Sequence, residues 1–283
     1  MKSLYKYVIF SVLAISVHPV YAAISPPEKP LEVGVVPYLS ARVLVSSYEP
    51  LRLYLEQSLH RPVILYTATG FKQFLLNSQR GDYDLIISSS HFARLLQKEN
   101  KFTPLVRYSK GGHGLILTTL GSKIHTIQDL AGKTIAVPDK LSLASISCLN
   151  YLSKKGLNTS NLHFLLVPSF ASAILSVQKG EADAAISASG ALAQMPIEIR
   201  ESVRKVVDTG EFISLVFLSH PRLDKQFSSQ LTRTLLQFGN QSDVGKQFFS
   251  KNGFGTVIPV TEKEMSLQDA YLPETKKLLR EAH

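Results

Sequence analysis

Residues 126–145, TIQDLAGKTIAVPDKLSLAS, contain the pattern that decides the fold. The pattern predicts a short helix over residues 127–130, a Gly-Lys turn, a buried strand over residues 134–137, a loop and the start of a longer helix. Ser142 and Ser145 fall where the loop becomes that helix. Unpaired backbone N–H groups collect at such a point, so Ser142 has two interpretations: a cap of the helix, or a hydroxyl donor to a polar ligand.

A similar alternation of strands and helices runs through most of the chain. Apolar strand-like segments recur, and helical segments that often end at glycine separate them. This alternation is typical of an α/β protein in which helices cover a mixed, mostly parallel sheet. The predicted strands are residues 31–36, 61–66, 84–87, 104–108, 115–119, 134–137, 163–167, 182–186, 203–207 and 212–218, whereas residues 253–259 show no period.

Two glycine-containing junctions divide the alternation into two units. They lie at residues 108–112 and 208–210, where a hinge can absorb backbone rotation. The sequence therefore predicts two lobes: residues 31–108 and 210–283 form lobe 1, and residues 112–207 form lobe 2.

Serines follow the predicted strands of both lobes. They lie at residues 88–90, 142–145 and 187–189. Because ligands of open α/β sheets bind beyond the carboxyl ends of the strands, these three groups predict one polar cleft between the lobes.

The first 22 residues differ from the rest of the chain. Lys2 and Lys6 precede an apolar run over residues 7–17, and a small-x-small ending follows at Val20 and Ala22. This pattern predicts a secretory signal peptide over residues 1–22 that is cleaved on export. The apolar run is short for a membrane span.

Composition excludes several classes of protein. The formal charge is +9, but the basic residues are scattered, which disfavours a nucleic-acid-binding surface. The single Cys148 rules out an internal disulfide and, with no base at an obvious spacing, is expected to be an inert buried thiol. The histidines lack metal-ligand spacing and no G-x-S-x-G elbow is present, so we expect no metal, no cofactor and no catalytic residues.

Four segments resemble a known family. They are GVVPYLS (residues 34–40), GDYDLIISSSHFA (81–93), IQDLAGKTIAVPDKLSLAS (127–145) and VQKGEADAAISASGAL (177–192). Their order and spacing are similar to the substrate-binding proteins of phosphate/phosphite/phosphonate ABC transporters. The resemblance implies the two-lobed type II periplasmic-binding-protein fold, with a hinge between the lobes.

The resemblance also implies a ligand site. The anion-gripping loop of the family matches residues 139–145, where Ser142 is kept and Leu143 and Ala144 replace two hydroxyls. Family positions that contact the ligand match Phe71 and Ser88, and a family histidine falls near Phe170. His91, His113 and Arg42 are candidate replacements for the lost donors. The predicted ligand-binding residues are Phe71, Ser88, Ser89, His91, Ser142, Ser145, Phe170 and Ser187.

The resemblance implies a periplasmic solute-binding protein of an ABC-type uptake system, and not an enzyme. We expect a monomer that encloses a small anionic ligand, phosphonate-like or divergent, and then docks on a membrane permease. Two alternatives are a solute sensor for a membrane receptor kinase and an enzyme on the same fold, for which Cys148 would be the candidate reactive group.

Overall fold

Residues 29–281 are described by a computed structural model, in which eleven strands form two sheets. The predicted signal peptide lies outside the described residues. The strands are β1 (Leu31–Val35), β2 (Val63–Tyr66), β3 (Leu85–Ser89), β4 (Thr103–Tyr108), β5 (Gly112–Thr119), β6 (Thr134–Val137), β7 (His163–Leu166), β8 (Ala184–Ala188), β9 (Val203–Phe212), β10 (Leu215–Ser219) and β11 (Val257–Pro259).

Helices cover both sheets. They are α1 (Ala41–Leu59), α2 (Phe71–Arg80), α3 (Ser90–Asn100), α4 (Leu143–Lys154), α5 (Phe170–Gln178), α6 (Ser189–Ala193), α7 (Ile197–Glu201), α8 (Lys225–Asn240), α9 (Asp243–Asn252), α10 (Glu262–Ser266) and α11 (Leu272–Glu281). Within the described part of the chain, every helix is too short or too polar to cross a membrane.

The first sheet has the strand order β11-β4-β10-β3-β1-β2. β1 pairs in parallel with β2 and β3, whereas β10 is antiparallel to both β3 and β4, and β11 is antiparallel to β4. This sheet with α1–α3 and α8–α11 is called the first lobe below. Ser89 is the last residue of β3 and pairs with Leu215, the first residue of β10, so both residues lie where these two strands end on the same side of the sheet.

The second sheet has the order β7-β6-β8-β5-β9. β6 is parallel to β7 and β8, and β5 is antiparallel to β8 and β9. This sheet with α4–α7 is called the second lobe. β9 continues to Phe212, which pairs with Gly112. Residues 210–212, which the sequence places in lobe 1, therefore belong to the second sheet. The predicted α/β fold with two mixed sheets is confirmed.

The local pattern explains most elements. Helix α1 buries Leu44, Leu51, Leu55 and Leu59 on one face, as its helical spacing predicts. Helix α2 ends at Gly81, whose φ of 82° lies in the left-handed region that glycine occupies without strain. Strand β11 is missing from the sequence-based prediction because it is an edge strand of only three residues, which is too short to show an alternating pattern.

The largest apolar core belongs to the first lobe but includes residues of the second. Leu141, Ala144, Phe170 and Ala191 of the second lobe are buried against it. The second lobe has its own smaller core between β5, β6, β8 and α4, and the Cys148 thiol is buried there. The two lobes therefore meet through apolar contacts, and the structure describes them closed on each other.

Candidate ligand-binding site

The loop between β6 and α4 ends in a local helix cap. Ser142 is the N-cap of α4: its Oγ accepts a hydrogen bond from the backbone N–H of Ser145 at 3.1 Å and donates to the Ser145 Oγ at 2.8 Å. Both serines are buried. The capping interpretation of Ser142 is therefore realised, and the hydroxyl hydrogen is already used inside the protein.

Asp139 in the same loop reaches the other lobe. Its Oδ1 accepts from the N–H of Leu141 at 2.9 Å, and its Oδ2 accepts from the N–H of Phe71 at 3.0 Å. Phe71 is the first residue of α2, and the N-cap Gly70 has no side chain that can cap that helix. A carboxylate of the second lobe thus caps a helix of the first, where the helix dipole favours a negative charge.

His91 makes a second contact with this loop. Its Nε2 lies 2.9 Å from the carbonyl oxygen of Leu141, which only accepts, so Nε2 carries the proton. Burial lowers the pKa of His91 to about 4, and its Nδ1 has no hydrogen-bond partner among the described residues. His91 is therefore neutral at pH 7 and holds the lobes together through one neutral hydrogen bond.

A cavity of about 60 Å³, measured as space for the centres of water molecules, lies between the lobes. Four of the predicted ligand-binding residues line it: Phe71, Ser89, Ser142 and Phe170. Helices α2, α4 and α5 begin at this cavity, and Ser89 is the N-cap of α3. The complete lining is Val36, Tyr38, Phe71, Ser89, Gly112, Ser142, Leu143, Ala144, Phe170, Ala188, Gly190, Ala191, Phe212, Ser214, Leu215 and Phe254.

The other four predicted residues lie near the cavity without lining it. Ser88 and Ser187 are fully buried inside β3 and β8, and Ser145 and His91 are buried behind the loop. Successive strand residues point to opposite faces of a sheet, which explains why Ser89 lines the cavity and Ser88 does not. The ligand-binding role of the four residues that do not line the cavity stays a prediction.

The two remaining candidate donors also lie elsewhere. Arg42 is exposed on α1 and His113 pairs with Asp208, its Nδ1 lying 2.7 Å from the carboxylate Oδ1. Asp208 also accepts from Lys205 at 2.8 Å. Neither Arg42 nor His113 is among the residues that line the cavity.

Three aromatic residues of the cavity wall are absent from the sequence-based prediction. Tyr38 follows β1, Phe212 ends β9, and Phe254 lies in the loop between α9 and β11. Tyr38 had a usable signal, because it lies just beyond the carboxyl end of a predicted strand. Phe254 lies in the segment without periodicity, and only the tertiary fold brings it to the cavity.

A network of tyrosines supports that wall. The hydroxyl oxygens of Tyr48 and Tyr108 are 2.8 Å apart, and those of Tyr38 and Tyr48 are 3.5 Å apart. The ring of Phe254 stacks on Tyr108 at a centroid distance of 4.5 Å and meets Tyr38 edge-on at 6.0 Å. Burial raises the pKa of Tyr38 to about 12, so this phenol stays neutral. The wall is therefore aromatic and uncharged.

Comparisons with known proteins agree with this architecture. A family model described as "ABC transporter, phosphonate, periplasmic substrate-binding protein" matches residues 33–265. A binding protein component of an ABC phosphonate transporter from Pseudomonas aeruginosa has a similar structure, with a TM-score of 0.77, 12% identity, and 87% of each chain covered. PhnD1 from Prochlorococcus marinus, solved in complex with methylphosphonate, has a TM-score of 0.78 at 14% identity, covering 88% of this chain and 99% of that chain.

A more distant structure is the alkanesulfonate-binding protein SsuA from Xanthomonas axonopodis pv. citri bound to MOPS. Its TM-score is 0.58 at 19% identity, with 90% of this chain and 96% of that chain covered. At these identities the solved structures show a common fold. They confirm the predicted two-lobed type II periplasmic-binding-protein fold. No curated protein sequence was found to match the chain.

Proposed function

Because the chain belongs to the family of ABC-transporter phosphonate periplasmic substrate-binding proteins, we propose that it captures one small solute in the cavity between its lobes. Binding a substrate for an ABC transporter is the function of this family. Closure of the lobes around the solute then presents the complex to a membrane permease, so the ligand shifts a population from open to closed.

The observation that carries this proposal is the set of contacts across the cavity. The Phe71–Asp139 and His91–Leu141 hydrogen bonds join the two lobes beside the cavity, at 3.0 and 2.9 Å. Neither bond can survive separation of the lobes. The closed form is thus specifically stabilised next to the place where the ligand is enclosed, as ligand-linked closure requires.

We propose that the chain has no catalytic activity. Cys148 is the single thiol of the sequence and lies fully buried in the second lobe. Burial raises the pKa of this thiol, so the nucleophilic thiolate is not formed near neutral pH. This supports transport over the enzyme alternative.

Export and assembly complete the proposal. The chain acts in the periplasm after removal of residues 1–22, as the family implies, and binds its permease as a monomer. Both the cleavage and the monomeric state can be checked on protein exported by a bacterial host, by N-terminal sequencing and by light scattering.

The closure can be tested with spin labels on both lobes. Cysteines replace the exposed Ser58 and Ser153, while the buried Cys148 stays unlabelled. The interlobe distance is measured by double electron–electron resonance with and without a low-molecular-mass extract of periplasm. Native mass spectrometry of the same mixture identifies any bound solute. We expect the distance to shorten and a one-to-one adduct to form.

A matched pair of glycine variants ties closure to binding. A Cβ at Gly190 would lie 2.8 Å from the Phe254 ring of the other lobe, whereas a Cβ at Gly121 meets nothing within 4 Å. Gly190→Ala is therefore expected to prop the lobes apart and weaken the adduct, and Gly121→Ala to behave as wild type. An extract that produces neither an adduct nor a shorter distance in wild type would contradict the proposed function.

A further inference from the structure

We propose that the cavity selects a small uncharged ligand with a mostly apolar body and one hydrogen-bonding oxygen, and that it rejects tetrahedral oxyanions such as phosphonates. This inference rests on the proposed function, because it names the class of solute for the same site. It follows from the walls of the cavity, the state of its hydroxyl groups and the carboxylate beside it.

The described residues of the cavity walls have no charged side chain that could stabilise a charged ligand. All residues that line the cavity belong to the described part of the chain, and none is Lys, Arg, His, Asp or Glu. The wall includes five aromatic rings, which come from the ends of strands, the starts of helices and a loop: Tyr38, Phe71, Phe170, Phe212 and Phe254. An anion moved from water to such a wall loses its hydration and gains no cation in exchange.

Three serines line the cavity, and Ser142 and Ser89 differ in how their hydroxyl groups are hydrogen-bonded. The Ser142 hydroxyl both accepts from and donates to Ser145, so it is engaged inside the protein. The Ser89 Oγ is buried and has no partner among the described residues, and Ser89 is only 7% exposed. A buried hydroxyl without a partner is uncommon in a native fold, and a ligand oxygen at the cavity would satisfy it.

The starts of α2 and α4 do not compensate for the missing cations. The start of α2, which would attract an anion, already binds the Asp139 carboxylate through the Phe71 N–H at 3.0 Å. That carboxylate adds a negative charge beside the cavity, which repels a second anion. At the start of α4, Leu143 and Ala144 bring a buried isobutyl and a methyl group to the lining where hydroxyls would be needed.

The volume of the cavity limits the size of the ligand. One water molecule needs roughly 10–15 Å³ of space for its centre. The cavity offers about 60 Å³ on the same measure. The closed form therefore encloses a compact molecule with only a few non-hydrogen atoms, and its apolar body fits the aromatic wall better than water does.

Two probes separate charge from size. tert-Butanol and methylphosphonate have the same number of non-hydrogen atoms around a tetrahedral centre, but only methylphosphonate is an anion. Each is titrated into the mature chain while amide and methyl resonances are followed by NMR, with inorganic phosphate as a further anion. We expect tert-butanol to perturb residues of the cavity with saturation in the millimolar range, and methylphosphonate to bind at least tenfold more weakly.

Variants of the cavity test where tert-butanol binds and why methylphosphonate binds more weakly. Ala191→Leu fills the cavity and is expected to abolish tert-butanol binding, whereas Ala41→Leu, on the exposed start of α1, is expected to leave it unchanged. The double variant Leu143→Thr/Ala144→Ser restores hydroxyls at the start of α4 and is expected to raise methylphosphonate affinity severalfold. If Ala191→Leu fails to fold, Ala144→Val serves as the cavity-filling variant.

Three outcomes would overturn the inference. They are methylphosphonate or phosphate binding more tightly than tert-butanol, no saturable shift with tert-butanol, and perturbations by tert-butanol that Ala191→Leu leaves intact. If an anion binds and closes wild type, the ligand class is wrong but capture by closure stands. The proposed function itself fails only if the periplasmic extract gives neither an adduct nor closure.

Discussion

Helices α4 and α2 both begin at the cavity, but they are capped in opposite ways. The cap of α4 is local: Ser142 accepts from Ser145, three residues along the chain. The cap of α2 comes from the other lobe, where the Asp139 carboxylate accepts from the N–H of Phe71. A local cap is made whether the lobes are open or closed, whereas the cap from Asp139 is made only on closure. One helix start therefore stabilises the fold in both states, and the other stabilises only the closed state.

Replacing Asp139 should have the largest effect on closure. Asp139→Ala removes the acceptor of both the Phe71 and the Leu141 N–H groups. Only the bond to Phe71 joins the lobes. A hydrogen bond to a charged group contributes about 1.5–3 kcal/mol, so we expect the closed form to lose a free energy of that order relative to the open form. The interlobe distance from spin labels measures the loss. Asp139→Asn keeps an acceptor and should show a smaller opening; equal closure in all three proteins would contradict the assigned cap.

Acid should weaken the other interlobe contact, the one between His91 and the Leu141 carbonyl. The closed form holds its pKa at about 4, against an ordinary value of 6.5, so the open form takes up a proton first as the pH falls. Closure is therefore most stable above pH 6.5 and weakens toward pH 4, by at most about 1.4 kcal/mol per pH unit. His91→Gln, which keeps an N–H donor without titrating, should reduce this pH dependence of the interlobe distance. An unchanged pH profile in that variant would assign the effect to other groups.

Ser142 should affect the fold more than closure. Ser142→Ala removes the N-cap of α4, which typically lowers the free energy of unfolding by about 1 kcal/mol. Denaturant unfolding measures this loss, and the interlobe distance should stay as in wild type. Ser147→Ala, in the interior of the same helix, is the matched control. If Ser142→Ala opened the lobes as far as Asp139→Ala, the distinction between the two caps would be lost.

Ser89 should have the smallest effect on stability. Its Oγ has no partner among the described residues, so Ser89→Ala removes no hydrogen bond from the protein. We expect the free energy of unfolding to change by no more than about 0.5 kcal/mol. The same variant should weaken tert-butanol binding, since the proposed partner of the ligand oxygen is gone. A large loss of stability would reveal a structural role for this hydroxyl.

The fold could be predicted from the sequence because its signals are local. Strand β6 over Thr134–Val137 has the predicted bounds, because its apolar run lies between the Gly132-Lys133 turn and Pro138. Strand β11 was lost because three residues at a sheet edge carry no periodic signal.

The candidate site could be predicted only in part because its geometry is not local. Phe71, Ser89, Ser142 and Phe170 reach the cavity since they follow strands or start helices, as the pattern indicates. The sequence could not separate Ser88 from Ser89, because a register of one residue decides which side chain faces the cavity. Phe254 is brought there by the return of the chain to the first lobe, which no local pattern encodes.

The tyrosine network gives the protein an optical reporter of its own. The sequence has 11 Tyr and no Trp, so phenol rings dominate its near-ultraviolet absorption. Tyr38 lines the cavity, and its hydroxyl lies 3.5 Å from that of Tyr48. When a ligand replaces water beside the Tyr38 ring, the polarity around the phenol changes. The absorption band of this tyrosine should therefore shift. Difference spectroscopy on the unlabelled wild type could therefore follow ligand entry in real time, with Tyr38→Phe identifying the ring responsible.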